Sequence, residues 1–150
     1  MKQIKTDRTD KKPFLYKDLC HKILGAMFTT RNTYGSQQKE SVYQNGLEEE
    51  LVELGISYKR EVPVKILSPK TGKVMGVHRI DFIVDEKIIV ETKAKTFIPE
   101  KIENQLYNYL RSTPYQVGYL INFGSSRLYY KRVILTNDRK PFLKLSVKSV

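Results

Sequence analysis

Cysteine is almost missing from this sequence: Cys20 is the only one in 150 residues. That excludes an internal disulfide and any thiolate metal cluster. Histidine is scarce too, present only as His21 and His78, so a zinc site would have to lean on carboxylates and zinc is set aside. No apolar run approaches the roughly 18–20 residues that cross a bilayer, which argues against a membrane partner. The opening, MKQIKTDRTDKKPF, is polar and has no apolar stretch behind its charges, so it does not read as a secretory signal, and a cytoplasmic, intracellular location is expected. No internal repeat, low-complexity segment or linker break is visible, nor a helix-turn-helix or zinc-finger pattern.

Positive charge, by contrast, is abundant, with 27 Lys and Arg against 16 Asp and Glu and a net charge of +11. Such an excess favours phosphate backbones and salt-dependent binding, although it also keeps many proteins soluble. The excess is greatest at the two ends, while Glu48, Glu49, Glu50 and Glu53 concentrate acid in the middle. Nucleic acid is the partner this charge suggests, with Lys95, Arg127, Lys131 and Arg132 as candidate phosphate contacts. Tyr129 and Tyr130 beside Lys131 could stack on bases, but strand alternation places one of them in the core in any case.

The hydrophobic period sets the expected elements. Leu19, Ile23, Leu24 and Met27 predict a helix from Tyr16 to about Thr29, followed by a turn at Arg31–Gly35. Ser36 is a candidate cap for a second helix from about Gln37 to Leu54, with Val42, Tyr43, Leu47, Leu51 and Leu54 as its buried stripe. Strands are expected at Tyr58–Leu67, Lys73–Val84 and Lys87–Lys95, joined by turns at Ser68–Gly72 and Asp85–Lys87. A helix opening at Pro99 and running to about Arg111 reads as a crossover to strands Tyr115–Phe123 and Arg127–Leu135. Pro141–Val150 reads as an edge strand or a tail. The order α-α-β-β-β-α-β-β predicts an α/β (α+β) domain over 13–150 with a central mixed β-sheet flanked by helices, after a flexible basic N-terminal tail over 1–12.

Strands covered on both faces should be apolar almost throughout, so carboxylates within them need a reason. Asp81 sits among Ile80, Phe82, Ile83 and Val84, and Glu91 and Lys93 end the apolar run Ile88–Val90. Alternation puts Glu91 and Lys93 on one face, and pairing about the 85–87 turn sets Asp81 opposite the Glu91 region. One alternative is ordinary salt bridging of Asp81 to Arg79 or Lys93, and of Glu91 to Lys87 or Lys93. The other is a reaction centre for phosphodiester hydrolysis. Two carboxylates, with the Thr92 backbone carbonyl as a further ligand, can hold Mg²⁺ or Mn²⁺, which reverses the local charge and acidifies a bound water. Lys93 would orient that water and offset transition-state charge.

The pattern Asp81, nine residues, then Glu91-Thr92-Lys93 resembles the PD-(D/E)xK nuclease signature. More closely, residues from about Leu19 to Leu135 resemble the GxxExxY protein family of that superfamily. Glu40-Ser41-Val42-Tyr43 matches its helix motif, Arg79–Phe82 and Val90–Ala94 its acidic strands, and Asn104–Arg111 its following helix; Gly118–Gly124 also fits. The resemblance implies a restriction-endonuclease-like core, a Mg²⁺-dependent deoxyribonuclease activity, and Glu40 and Gln105 as further site residues approaching from two helices. A homodimer is plausible by resemblance only. Gln37 stands where the family has glycine, and Ile80 where the superfamily has proline. The reading from another class is a non-catalytic nucleic-acid-binding module that keeps the fold.

Overall fold

The computed structural model of the protein describes residues 14–140. The tail expected over 1–12 and the segment Pro141–Val150 lie outside the described residues. Two helices come first, α1 at Lys17–Tyr34 and α2 at Glu40–Glu53. Strands β1 (Tyr58–Leu67), β2 (Val74–Val84) and β3 (Ile88–Lys93) follow, then helix α3 (Glu100–Arg111) and strands β4 (Val117–Asn122) and β5 (Tyr129–Ile134). The five strands lie in chain order in one sheet. β3 and β4 are parallel and every other neighbouring pair is antiparallel, so α3 is the crossover that a parallel pair requires. This is the mixed, helix-flanked sheet expected from the element order.

Alternation along the strands divides the core in two. Phe82, Val84, Ile88, Val90, Val117, Tyr119 and Ile121 pack against Cys20, Ile23, Met27, Tyr43, Leu47 and Leu51 of α1 and α2. On the opposite face Ile83, Ile89 and Leu120 pack against Leu106, Tyr109 and Leu110 of α3. α1 and α2 approach closely where Gly46 lies, since a Cβ there would stand 2.7 Å from the Tyr34 ring.

Several boundaries differ from expectation. α1 continues through Arg31–Tyr34, which the sequence suggested as a turn. Thr30 and Thr33 donate their hydroxyls to carbonyls four residues back, at 2.8 Å each, so neither competes with the helix. Gly35, at φ 76, then breaks it. α2 starts at Glu40 rather than Gln37, and Ser36 provides no cap. The segment before it is held instead by Tyr43, whose hydroxyl donates to the Gly35 carbonyl (2.5 Å) and accepts from the Gln38 amide (3.1 Å). Gln37 is not among the residues with positive φ, so the backbone conformation there does not demand a glycine. The buried stripe of α2 is narrower than expected, with Val42 half-buried and Leu54 exposed. β2 is covered only in its second half, because Val74, Met75 and Val77 are exposed in the hairpin with β1.

One irregularity positions the site. The β1–β2 ladder pairs Arg60 with Phe82 and Val62 with Ile80, but Glu61 and Asp81 between them are not paired. Glu61 takes φ 53. Tyr58 and Phe82 pack with the α1/α2 core, whereas Val62, Val64 and Ile80 pack with the α3 core, although regular alternation would keep each set on one face. Both strands therefore change face at Glu61 and Asp81, and the Asp81 amide is released from the ladder.

Candidate active site

The β2–β3 ladder pairs Val84 with Ile88, Ile83 with Ile89 and Phe82 with Val90, and stops. Asp81 and Glu91 occupy the next rung, where side chains replace the backbone bonds. The Asp81 amide donates to Glu91 Oε1 at 2.9 Å. In return Thr92 donates its amide (2.8 Å) and its hydroxyl (3.0 Å) to Asp81 Oδ2. On the far side β3 stays bound to β4, with the Phe123 amide donating to the Lys93 carbonyl at 2.8 Å. Carbonyls alternate along a strand, so that of Thr92 turns toward β2, where the ladder has opened.

Glu91 is only 8% exposed. Burial, and then the Asp81 charge, push its carboxyl up to about 8, against the lowering pull of the Asp81 amide and Lys93. Glu40, the first residue of α2, is likewise raised by burial and by Asp81, while Lys93 and Lys95 pull it down. Thus Glu40, Asp81, Glu91 and Lys93 share one electrostatic neighbourhood. The salt-bridge alternative does not form: among the described residues the ion pairs are Arg60–Glu48, Lys87–Asp85 and Lys131–Glu103. Arg79 donates to the Glu61 carbonyl instead of reaching Asp81.

Gln105 is exposed on α3, where it lines a cleft of about 570 Å³ with His78, Asn108 and Tyr109. Tyr109 lies within electrostatic reach of the pair, since burial and then Glu91 and Asp81 push its hydroxyl up to about 12. Gln105 therefore faces the same side as the carboxylates but makes no bond to them. Gln44 was not anticipated. It donates to Glu40 Oε2 (3.1 Å) and to Thr92 Oγ1 (2.9 Å), and accepts from Arg60 (3.2 Å), tying α2 to β3 and to β1. Its position one helical turn after Glu40 was the only signal in the sequence. Buried Asn122 was also missed; its amide side chain bonds both the amide (2.9 Å) and the carbonyl (2.8 Å) of Lys95.

The candidate phosphate contacts do not form one surface. Lys95 is held near the site by Asn122 and influences Glu40. Arg127 is exposed in the β4–β5 loop. Lys131 and Arg132 point to opposite faces of β5, as neighbours in a strand must. Lys131 pairs with Glu103 of α3 at 3.2 Å, whereas Arg132 donates to the Leu15 carbonyl at 3.1 Å and lies 4.0 Å from the centre of the Phe14 ring. Arg132 is thus a packing residue at the entry to α1.

Asp81, Glu91 and the Thr92 carbonyl are all hard oxygen donors. No group of three or more His, Cys, Asp or Glu among the described residues could enclose a metal. Two carboxylates and a carbonyl fit an ion such as Mg²⁺ that keeps several waters, and do not fit one that needs a full protein cage.

A profile of the PD-(D/E)XK nuclease superfamily matches residues 17–133. The chain belongs to that superfamily. No curated protein matches. Among solved structures, the crystal structure of SSO0001 is similar at 21% identity with a TM-score of 0.49, the match covering 73% of this chain and 57% of that one. The chain thus spans less than two thirds of that protein's length.

Proposed function

We propose that the protein is a divalent-metal-dependent nuclease, acting on DNA before RNA, with Mg²⁺ or Mn²⁺ held by Asp81, Glu91 and the Thr92 carbonyl. One observation carries this reading: two adjacent carboxylates are held by main-chain amides, and no Lys or Arg of the described residues pairs with either. A phosphate would be repelled from such a pair unless a cation lay between them. A bound divalent ion supplies that charge reversal and lowers the pKa of its water.

The chain's own residues account for the rest. Lys93 shares a strand face with Glu91, and its ammonium makes no hydrogen bond or ion pair among the described residues, so it is available to the phosphoryl oxygens and the attacking water. Glu40, oriented by Gln44, approaches from the opposite helix layer and can hold that water by a hydrogen bond. Gln105 offers its amide to the substrate strand from the α3 cleft.

The test is calorimetric titration of Mg²⁺ and Mn²⁺ into the wild type and an Asp81→Asn/Glu91→Gln double mutant, followed by incubation with DNA and RNA substrates. Saturable uptake and cleavage in the wild type, both lost in the double mutant, are expected. Equal cation uptake in the two proteins, or cleavage that survives in the double mutant, would remove this reading.

A further inference from the structure

We propose that a cleft beside the reaction centre receives one unpaired nucleobase of the strand being cut, a reading that rests on the nuclease function above. The cleft is walled by Phe97, Ile98 and Tyr129, with Glu103 and Asn122 as polar groups, and measures about 250 Å³. That is below the roughly 300–1,000 Å³ of sites for drug-sized ligands, so it suits a single ring system. It adjoins the carboxylate site: Asn122 is the register partner of Lys93 on the next strand, and Phe97 follows Lys95 by two residues. A nucleotide next to the scissile phosphate could therefore reach it.

Phe97 is 75% exposed, the highest value among the exposed large apolar side chains of the described residues. Loose anchoring of the preceding chain does not explain this. Lys95 is fixed on both sides by Asn122, and the Lys95 amide and carbonyl lie so close to Gly124 that a Cβ there would stand 2.6 Å from them. The ring is thus presented from a held stem, and aromatic faces displayed to solvent beside a phosphate-cutting site are what unpaired bases stack on.

Charge decides which part of the strand enters. Glu103 accepts from the Tyr129 hydroxyl and from Lys131 at 3.2 Å. The Tyr129 bond, before Lys131, holds the Glu103 carboxyl below its usual range, so it carries full charge at neutral pH. A carboxylate repels phosphate but accepts hydrogen bonds from base N–H groups. The base therefore enters, and the backbone stays outside along Lys95. A paired base keeps its faces within the duplex stack, so the substrate class is a single-stranded or frayed strand.

The test places a single abasic nucleotide at successive positions of a fluorescent single-stranded DNA and measures affinity by anisotropy for the wild type and Phe97→Ala. We expect the wild type to lose on the order of tenfold in affinity at one or two positions, those next to the cleavage point. Phe97→Ala should bind the intact strand about that much more weakly and show no further loss at those positions, while binding a blunt duplex within about twofold of the wild type. Abasic penalties that persist in Phe97→Ala, or that are equal at every position, overturn the base site while wild-type cleavage leaves the nuclease intact. A wild type that neither binds nor cuts any strand overturns both.

Discussion

Glu91 is a carboxylate that water scarcely reaches. Its carboxyl is raised from an ordinary 4.5 to about 8 by burial and by Asp81. The folded state therefore binds this proton more tightly than the unfolded chain does. The stability that it contributes is full below about pH 4.5 and is lost as pH rises through about 8. In chelator, the protein should be less stable to urea at pH 9 than at pH 6, by an amount on the order of a few kcal/mol from this group. Glu91→Gln, which mimics the protonated acid, should flatten that dependence. Identical pH profiles for the two proteins would mean that Glu91 ionises without penalty and that the buried-pair argument is wrong. A divalent cation competes with the same proton, so its affinity should rise with pH up to about 8.

At the scale of elements, the turn between β2 and β3 sets the register that brings Asp81 to Glu91. Asp85 and Glu86 both have positive φ, at 52 and 55, and the Lys87 amide closes the turn on the Val84 carbonyl at 3.0 Å. A β-turn whose two central residues are both left-handed favours Asp-Gly at those positions, because a side chain at the second is strained there. Asp85 already has partners in Ser57 and Lys87, whereas Glu86 is exposed. Glu86→Gly should therefore stabilise the fold by about 0.5–1 kcal/mol, since relief of a left-handed strain of roughly 1–2 kcal/mol exceeds the added unfolded-state entropy. Chemical denaturation checks this, and a destabilised variant would show that the turn is not strained. The turn and the acid pair were legible in the sequence because both break an apolar run within a few residues. The change of face at Glu61 and Asp81, and the roles of Gln44 and Asn122, were not. The roles of Gln44 and Asn122 depend on contacts between residues 48 and 27 positions apart, which no local pattern encodes. The helix boundaries failed for a similar reason: Tyr43 holds the segment before α2 through a bond that helical spacing does not reveal.

For the whole molecule, the net charge of +11 predicts affinity for nucleic acid that falls steeply with salt, but not that every basic residue shares in it. Adjacent in sequence, Lys131 and Arg132 read as one patch, and folding into a strand separates them. Arg132 is committed to Leu15 and Phe14, and one of its guanidinium-side nitrogens, Nε, is buried without a partner among the described residues. Arg132→Ala should therefore lower stability by about 1 kcal/mol, through lost packing at the start of α1, and leave the salt slope of DNA binding nearly unchanged. Lys95 is bonded to Asn122 and Lys131 to Glu103, two residues that line the base cleft, so Lys95→Ala/Lys131→Ala should reduce the slope of log K against log salt by about 1–2 with little effect on folding. Anisotropy titrations at several salt concentrations, paired with thermal melts of the same proteins, separate the two effects. If Arg132→Ala flattened the slope and the double variant did not, the phosphate path would run over the α1 face of the sheet. The strand would then lie away from the α3 cleft, on the side opposite Gln105, and the base site beside Phe97 would lose its approach.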